Sequence, residues 1–109
     1  MDRTIKPQDL KKQLAINTNI TLLDVRRKAD YAAAADALPG ATWRDPDKVA
    51  EWSRDLPKNG NVVVYCVRGG SVSNAVIDEL LKNNVPARFM EGGIEAWKAN
   101  NKTEPKSSG

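Results

Sequence analysis

The chain has 109 residues, with 17 Lys plus Arg against 14 Asp plus Glu, no His and one Cys. Without an imidazole, a Ser-His-Asp triad, a Cys-His protease pair and any histidine-ligated metal site are excluded within the chain, and a lone thiol closes no intrachain disulfide and builds no four-thiolate zinc site. At 40% hydrophobic and 28% charged residues, the composition is that of an ordinary globular domain with a modest core, and the length suits a single one.

The net charge of +3 and the pI near 9.1 come from basic residues scattered among acids such as Asp9, Asp24, Asp30, Asp45, Asp47, Glu51 and Asp55. A nucleic-acid binder shows a clustered basic face, so nucleic acid is not an expected partner. No apolar run approaches the roughly 20 residues that span a bilayer, and Met1-Asp2-Arg3 leads into a polar segment without a signal-peptide core. The expectation is a soluble, cytoplasmic protein with no membrane partner.

Strand and helix signals alternate along the chain, a pattern that calls for α/β architecture with a parallel sheet covered by helices. Thr4 to Lys6 reads as a short strand. Pro7 suits a first helical turn, and Leu10 and Leu14 continue an amphipathic helix that Asn17-Thr18-Asn19 ends. Ile20 to Val25 is apolar and β-branched enough for a buried strand, and a helix follows through Tyr31 to Ala35, with an alanine run that favours it. Pro39-Gly40 marks a turn, Ala41 to Trp43 a short strand, and Asp45-Pro46 a helix start with Asp as cap and Pro at the first position; Val49, Ala50 and Trp52 sit on that helix. Pro57 to Gly60 breaks the chain. Val62-Val63-Val64-Tyr65 is the strongest strand signal and the expected centre of the sheet. Val72, Ala75, Val76, Ile77, Leu80 and Leu81 follow helical spacing until Asn83-Asn84. Ala87 to Met90 is a last strand, Gly92-Gly93 a tight turn and Ile94 to Asn100 a last helix. Residues 1–101 are therefore assigned to one domain and 102–109 to a flexible, polar C-terminal tail.

Between the Val-rich strand and the helix after it lies Cys66-Val67-Arg68-Gly69-Gly70-Ser71. In open α/β sheets, ligand sites form at the carboxyl ends of strands. Two glycines there let successive backbone N–H groups turn inward as an anion-binding nest next to the positive end of a helix. Convergent dipoles and the Arg68 cation favour the Cys66 thiolate over the thiol. Cys66 also reads as a small core hydrophobe that ends a buried strand. The loop weighs against that second reading, because a buried spacer needs neither the flexible pair nor the cation after it. A glycine-rich loop alone is a weak motif: it lacks the Lys of a Walker A loop, and no GxGxxG follows a strand.

The chain resembles the rhodanese-like sulfurtransferase family in its small single-domain bacterial form. The resemblance runs from Thr4 to Lys98 and is carried by Leu22-Leu23-Asp24-Val25-Arg26, Leu38-Pro39-Gly40-Ala41, Val64-Tyr65-Cys66 with its loop, and Met90-Glu91-Gly92-Gly93-Ile94-Glu95-Ala96-Trp97. Each is weak alone; four in this order are specific. The resemblance implies a rhodanese-like fold: an open five-stranded parallel sheet flanked by helices on both faces, with the catalytic Cys in a six-residue loop. The chain departs from the family at Ala37, where the family has a His of structural role before its Pro-Gly-Ala turn. Cys-dependent phosphatases of the dual-specificity kind place an Arg after Cys and five residues, where this chain has Val72. Without that fork a transferred phosphoryl group has no bidentate partner.

By resemblance, Cys66 is the catalytic nucleophile of a thiosulfate sulfurtransferase. Its thiolate attacks the outer sulfur of thiosulfate or a related sulfane donor, releases sulfite and keeps a persulfide, which cyanide or a thiol, including a protein thiol, then discharges. The amides of Val67, Arg68, Gly69, Gly70 and Ser71 are the expected substrate-binding groups, with Arg68 attracting the sulfonate end. Ser71 either donates its hydroxyl to the persulfide or caps the following helix, and Ser73 reads as a polar helix-start residue. Asp24 and Arg26 end another strand, as a structural turn with a salt bridge or as a border of the same pocket, Arg26 being the residue to touch an anion. Trp43, Trp52 and Trp97 read as packing aromatics, and Gly92-Gly93 as turn geometry, with a place near the pocket as a further reading. No cofactor and no metal is expected, and the oligomeric expectation is a monomer or weak dimer. Two other classes stand beside the enzyme: a non-enzymatic persulfide carrier or sensory module read by a protein partner, and a Cys-dependent phosphatase or arsenate reductase, which the loop length disfavours.

Overall fold

A computed structural model describes residues 4–16, 19–33, 37–38, 40–56, 61–67 and 71–102. In chain order these form β1 (Thr4–Ile5), α1 (Pro7–Ile16), β2 (Thr21–Asp24), α2 (Lys28–Ala33), β3 (Thr42–Trp43), α3 (Val49–Trp52), β4 (Val62–Tyr65), α4 (Ser71–Lys82), β5 (Ala87–Met90) and α5 (Gly93–Lys102). Short 3-10 turns, Pro46–Lys48 and Ser53–Asp55, flank α3. The expected chain break at Pro57 to Gly60 and the tail beyond Lys102 lie outside the described residues. Lys102 itself belongs to α5, one residue past the expected domain boundary.

The sheet has five strands in the order β1-β5-β4-β2-β3, every pair of neighbours parallel. Thr21 to Asp24 of β2 pair in register with Val62 to Tyr65 of β4, which makes the Val-rich strand the central one.

Side-chain alternation divides the core. Val62, Val64 and Cys66 face one side with Leu23 and Val25, under Trp52, Leu56, Val76, Ile77 and Leu80. Val63 and Tyr65 face the other with Leu22, under Leu10 and Ile94, while Leu14 and Trp97 pack on from outside. The period of two along each strand sends alternate residues to opposite faces, so α3 and α4 cover one face and α1 and α5 the other. Both faces being buried explains why β4 is continuously apolar.

Local chemistry sets the ends of the elements. The Asp45 side chain accepts the Asp47 N–H at 2.9 Å ahead of Pro46, the cap read from the sequence, although the turn it opens is 3-10 before it becomes α-helical. Asn84 ends α4 in the left-handed region at φ 63°. Its N–H bonds the Leu81 carbonyl at 3.0 Å, and the Val85 N–H bonds the Leu80 carbonyl at 2.8 Å. That is a Schellman closure, and Val85 and Leu80 are both buried in one cluster beside it. Among the described residues no helix is long and apolar enough to cross a membrane.

Candidate active site

From β4 the chain passes through α4 to β5 on one side of the sheet, whereas from β2 it passes through α2 to β3 on the other. The carboxyl ends of β2 and β4 therefore flank the topological switch point, the crevice where open α/β sheets bind ligands. Cys66 follows β4 there, and Val25, Arg26 and Arg27 follow β2. The Val25 N–H bonds the Tyr65 carbonyl at 2.8 Å, which extends the pairing of the two strands to the edge of the crevice.

Cys66 is in no disulfide, 5% exposed and packed in the cluster that holds Val25, Val64 and Val76. Its backbone is held by the start of α5. The Ile94 N–H bonds the Cys66 carbonyl at 2.8 Å and the Glu95 N–H bonds the Val67 carbonyl at 3.0 Å. Both donors belong to the first turn of a helix, where N–H groups have no partner inside the helix, so α5 meets its own need while fixing the start of the loop. In a trans peptide the C=O and the next N–H are antiparallel, so with the Cys66 carbonyl turned to α5 the Val67 N–H faces away from it.

Gly93 makes this approach possible. It lies at φ 64°, and a Cβ there would overlap the Cys66 carbonyl oxygen and stand 2.6 Å from the Val67 carbonyl. Only a residue without a side chain fits both the left-handed backbone and the contact. The sequence reading gives Gly92-Gly93 turn geometry and a place near the pocket; the direct contact of Gly93 with the Cys66 and Val67 carbonyls is the part it missed, and the signal was two successive glycines between a strand and a helix.

Asp24 and Arg26 form a buried ion pair, 1% and 2% exposed. Arg26 Nη2 donates to Asp24 Oδ2 at 2.6 Å, its Nε reaches both carboxylate oxygens at 3.0 Å, and its backbone N–H donates to Oδ1 at 3.0 Å. Hydrogen bonding to Asp24 raises the Arg26 pKa against the opposing effect of burial. The guanidinium carbon stands 5.3 Å from the centre of the Tyr31 ring, which stacks on Trp43, and Trp43 Nε1 donates to the Arg26 carbonyl at 2.9 Å. Of the two readings left open for Arg26, this geometry is that of the structural ion pair: a buried fork on a carboxylate organises the strand end. Tyr65 completes the group, its hydroxyl donating to Asp24 Oδ2 at 3.2 Å and accepting the Leu38 N–H at 3.1 Å. Burial pushes its pKa well above the ordinary phenol range.

Cys66, Val67 and Arg26 thus lie around one crevice, whereas Arg68, Gly69 and Gly70 fall outside the described residues. Ser71 opens α4. Ser73, expected as a polar helix-start residue, is fully buried, and its hydroxyl is without a hydrogen-bond partner among the described residues. Trp52 packs in the core and donates its Nε1 to the Asp45 carbonyl at 2.8 Å. Among the described residues no group of His, Cys, Asp and Glu is arranged to hold a metal ion.

Solved structures share this fold. A rhodanese-like domain protein of Staphylococcus aureus is 28% identical with a TM-score of 0.76, covering 89% of this chain and 91% of its own. A rhodanese homolog of Thermus thermophilus is 25% identical with a TM-score of 0.65, over 86% and 99%. A rhodanese-related protein of Thermoplasma volcanium, 22% identical with a TM-score of 0.74 over 90% and 92%, shares the fold. No curated protein matches the chain. The model of the Rhodanese-like domain matches residues 6–100, nearly the whole length on which the strand order and the Cys66 crevice are built, and the chain therefore belongs to the rhodanese-like domain family, within the sulfurtransferase superfamily.

Proposed function

We propose that this protein is a thiosulfate-type sulfurtransferase in which Cys66 carries the transferred sulfur. The observation that carries the reading is the position of the only cysteine: it leaves the central strand at the switch point, with its own carbonyl and that of Val67 drawn onto α5. The Cys66 thiolate attacks the outer sulfur of thiosulfate; the new S–S bond takes the place of the bond to the sulfonate, and sulfite leaves with the electron pair. A thiophilic acceptor then attacks the outer persulfide sulfur and returns the thiolate. Neither displacement requires a proton relay, so the absence of His is compatible with both. Backbone N–H groups from Val67 to Ser71 bind the anionic donor and the persulfide, Arg68 draws the sulfonate, and Arg26 acts by holding the β2 end rather than by touching the donor. A cytoplasmic setting, where thiols stay reduced, suits a nucleophilic cysteine of this kind.

Thiosulfate-to-cyanide turnover by the wild type and by Cys66→Ser tests the reading. Turnover in the wild type and none above background in the variant is the expected result; equal rates would remove Cys66 from the mechanism. Stable sulfur loading without turnover would make the protein a persulfide carrier.

A further inference from the structure

At the same switch point a hollow of about 150 Å³ is lined by Val49, Val72, Ala75 and Val76 and by two opposite charges, Arg27 and Asp47. Arg27 follows the carboxyl end of β2, and Val72 lies in the first turn of α4, directly after the Cys66 loop. Val49, Val72 and Val76 also pack in the cluster that contains Cys66. The hollow and Cys66 thus share one apolar cluster on the same face of the sheet. Among the described residues neither the Arg27 guanidinium nor the Asp47 carboxylate has an ion pair or a side-chain hydrogen bond; only their backbones are engaged. The two charges share one small hollow without closing on each other.

Drug-sized ligands occupy pockets of about 300–1,000 Å³, so this hollow suits a molecule of amino-acid size. An apolar floor suits a short hydrocarbon stem. A cation and an anion on the same rim suit a ligand that carries a carboxylate and an ammonium together. On the face of the sheet that also carries a cysteine that must pass on its sulfur, the ligand that satisfies all three is a thiol-bearing α-amino acid. On the sulfurtransferase reading above, we infer that this hollow binds the sulfur acceptor and that the acceptor is a zwitterionic aminothiol, its carboxylate on Arg27 and its ammonium on Asp47.

The step balances without a further reactant. The acceptor thiolate attacks the outer sulfur of the Cys66 persulfide, a bond forms between the two, the Cys66 S–S bond breaks, and the electron pair returns to Cys66 as thiolate. The product is the persulfide of the aminothiol. Cyanide and a neutral thiol accept sulfur by the same displacement without using either charge.

Steady-state turnover with thiosulfate as donor, comparing L-cysteine, 2-mercaptoethanol and cyanide as acceptors, tests the assignment in the wild type, Arg27→Ala and Asp47→Ala. Arg27 and Asp47 are exposed, so loss of one charged contact corresponds to a fall of about two- to fivefold in kcat/KM for L-cysteine relative to the other two acceptors. Equal falls for all three acceptors, or no fall for L-cysteine, would overturn it. A second arm does not depend on catalysis: calorimetric titration of Cys66→Ser with S-methyl-L-cysteine, which has the zwitterion and no thiol. Saturable binding that Arg27→Ala weakens is expected, and no binding would overturn the site. If the wild type fails to load sulfur from thiosulfate, the sulfurtransferase reading falls and the acceptor role with it, while this titration still decides whether the hollow holds a zwitterion.

Discussion

Asp24, Arg26 and Tyr65 put a charged pair and a phenol into the core at the ends of β2 and β4. Removing one partner strands the other: Asp24→Ala leaves a buried guanidinium facing no carboxylate, and a loss of about 3–5 kcal/mol in unfolding free energy is expected from denaturant titration. Tyr65 gives a pH signature. Its pKa is raised in the fold, so the folded state holds the phenolic proton more tightly than the unfolded chain. That stability is fully present below the unfolded value of about 10 and declines as pH rises above it. Unfolding free energies measured at pH 8 and pH 10.5 should fall more between the two pH values in the wild type than in Tyr65→Phe; equal falls would show that the phenol is not the titrating group. Ser73 is the opposite case, a buried hydroxyl without a partner among the described residues. Its desolvation cost disappears with the hydroxyl, and alanine is the better helix former, so Ser73→Ala should match or exceed the wild type by about 1 kcal/mol in thermal unfolding. The sequence made the Asp24–Arg26 pair legible because the two residues stand two apart at a strand end. It did not reveal the Tyr65 bonds to Asp24 and Leu38, which join positions distant along the chain.

On the proposed function, the start of α5 acts on chemistry it does not perform. Its first amides hold the Cys66 and Val67 carbonyls, and Gly93 lets the helix come close enough to do so. Gly93→Ala must displace either the helix or the loop, and displacements of about 1 Å cost up to about 100-fold in rate. Sulfur loading of Cys66 by thiosulfate, followed in single-turnover experiments, should slow by at least about tenfold in Gly93→Ala on the same argument. Gly40→Ala carries the same backbone penalty at φ 81°, with nothing within 4 Å of the added carbon; it should lose stability and keep its loading rate. Comparable slowing in both would reduce Gly93 to an ordinary turn residue. The elements themselves were readable because their end signals are local. Pro7, the Asp45-Pro46 cap and the Asn83-Asn84 stop each act on neighbouring backbone. The grip of α5 on the Cys66 loop was not readable, since it depends on how a turn docks against a strand end.

For the whole molecule, five strand signals alternating with helix signals, one of them continuously apolar, were enough to indicate a parallel sheet with a buried centre, and the resemblance implied one open sheet with helices on both faces. The order β1-β5-β4-β2-β3 converts these into a site, because it makes β2 and β4 neighbours whose chains depart in opposite directions. That adjacency brings Arg27 and Val72, in the first turn of α4, to one hollow from positions about 45 residues apart in the chain. Nothing in either segment alone announces it. The most direct measurement is the intact mass of the protein after incubation with thiosulfate and again after cyanide. A gain of one sulfur atom that cyanide removes, absent from Cys66→Ser, is the expected result; an unchanged mass in the wild type, or the same gain in Cys66→Ser, would contradict sulfur transfer through Cys66.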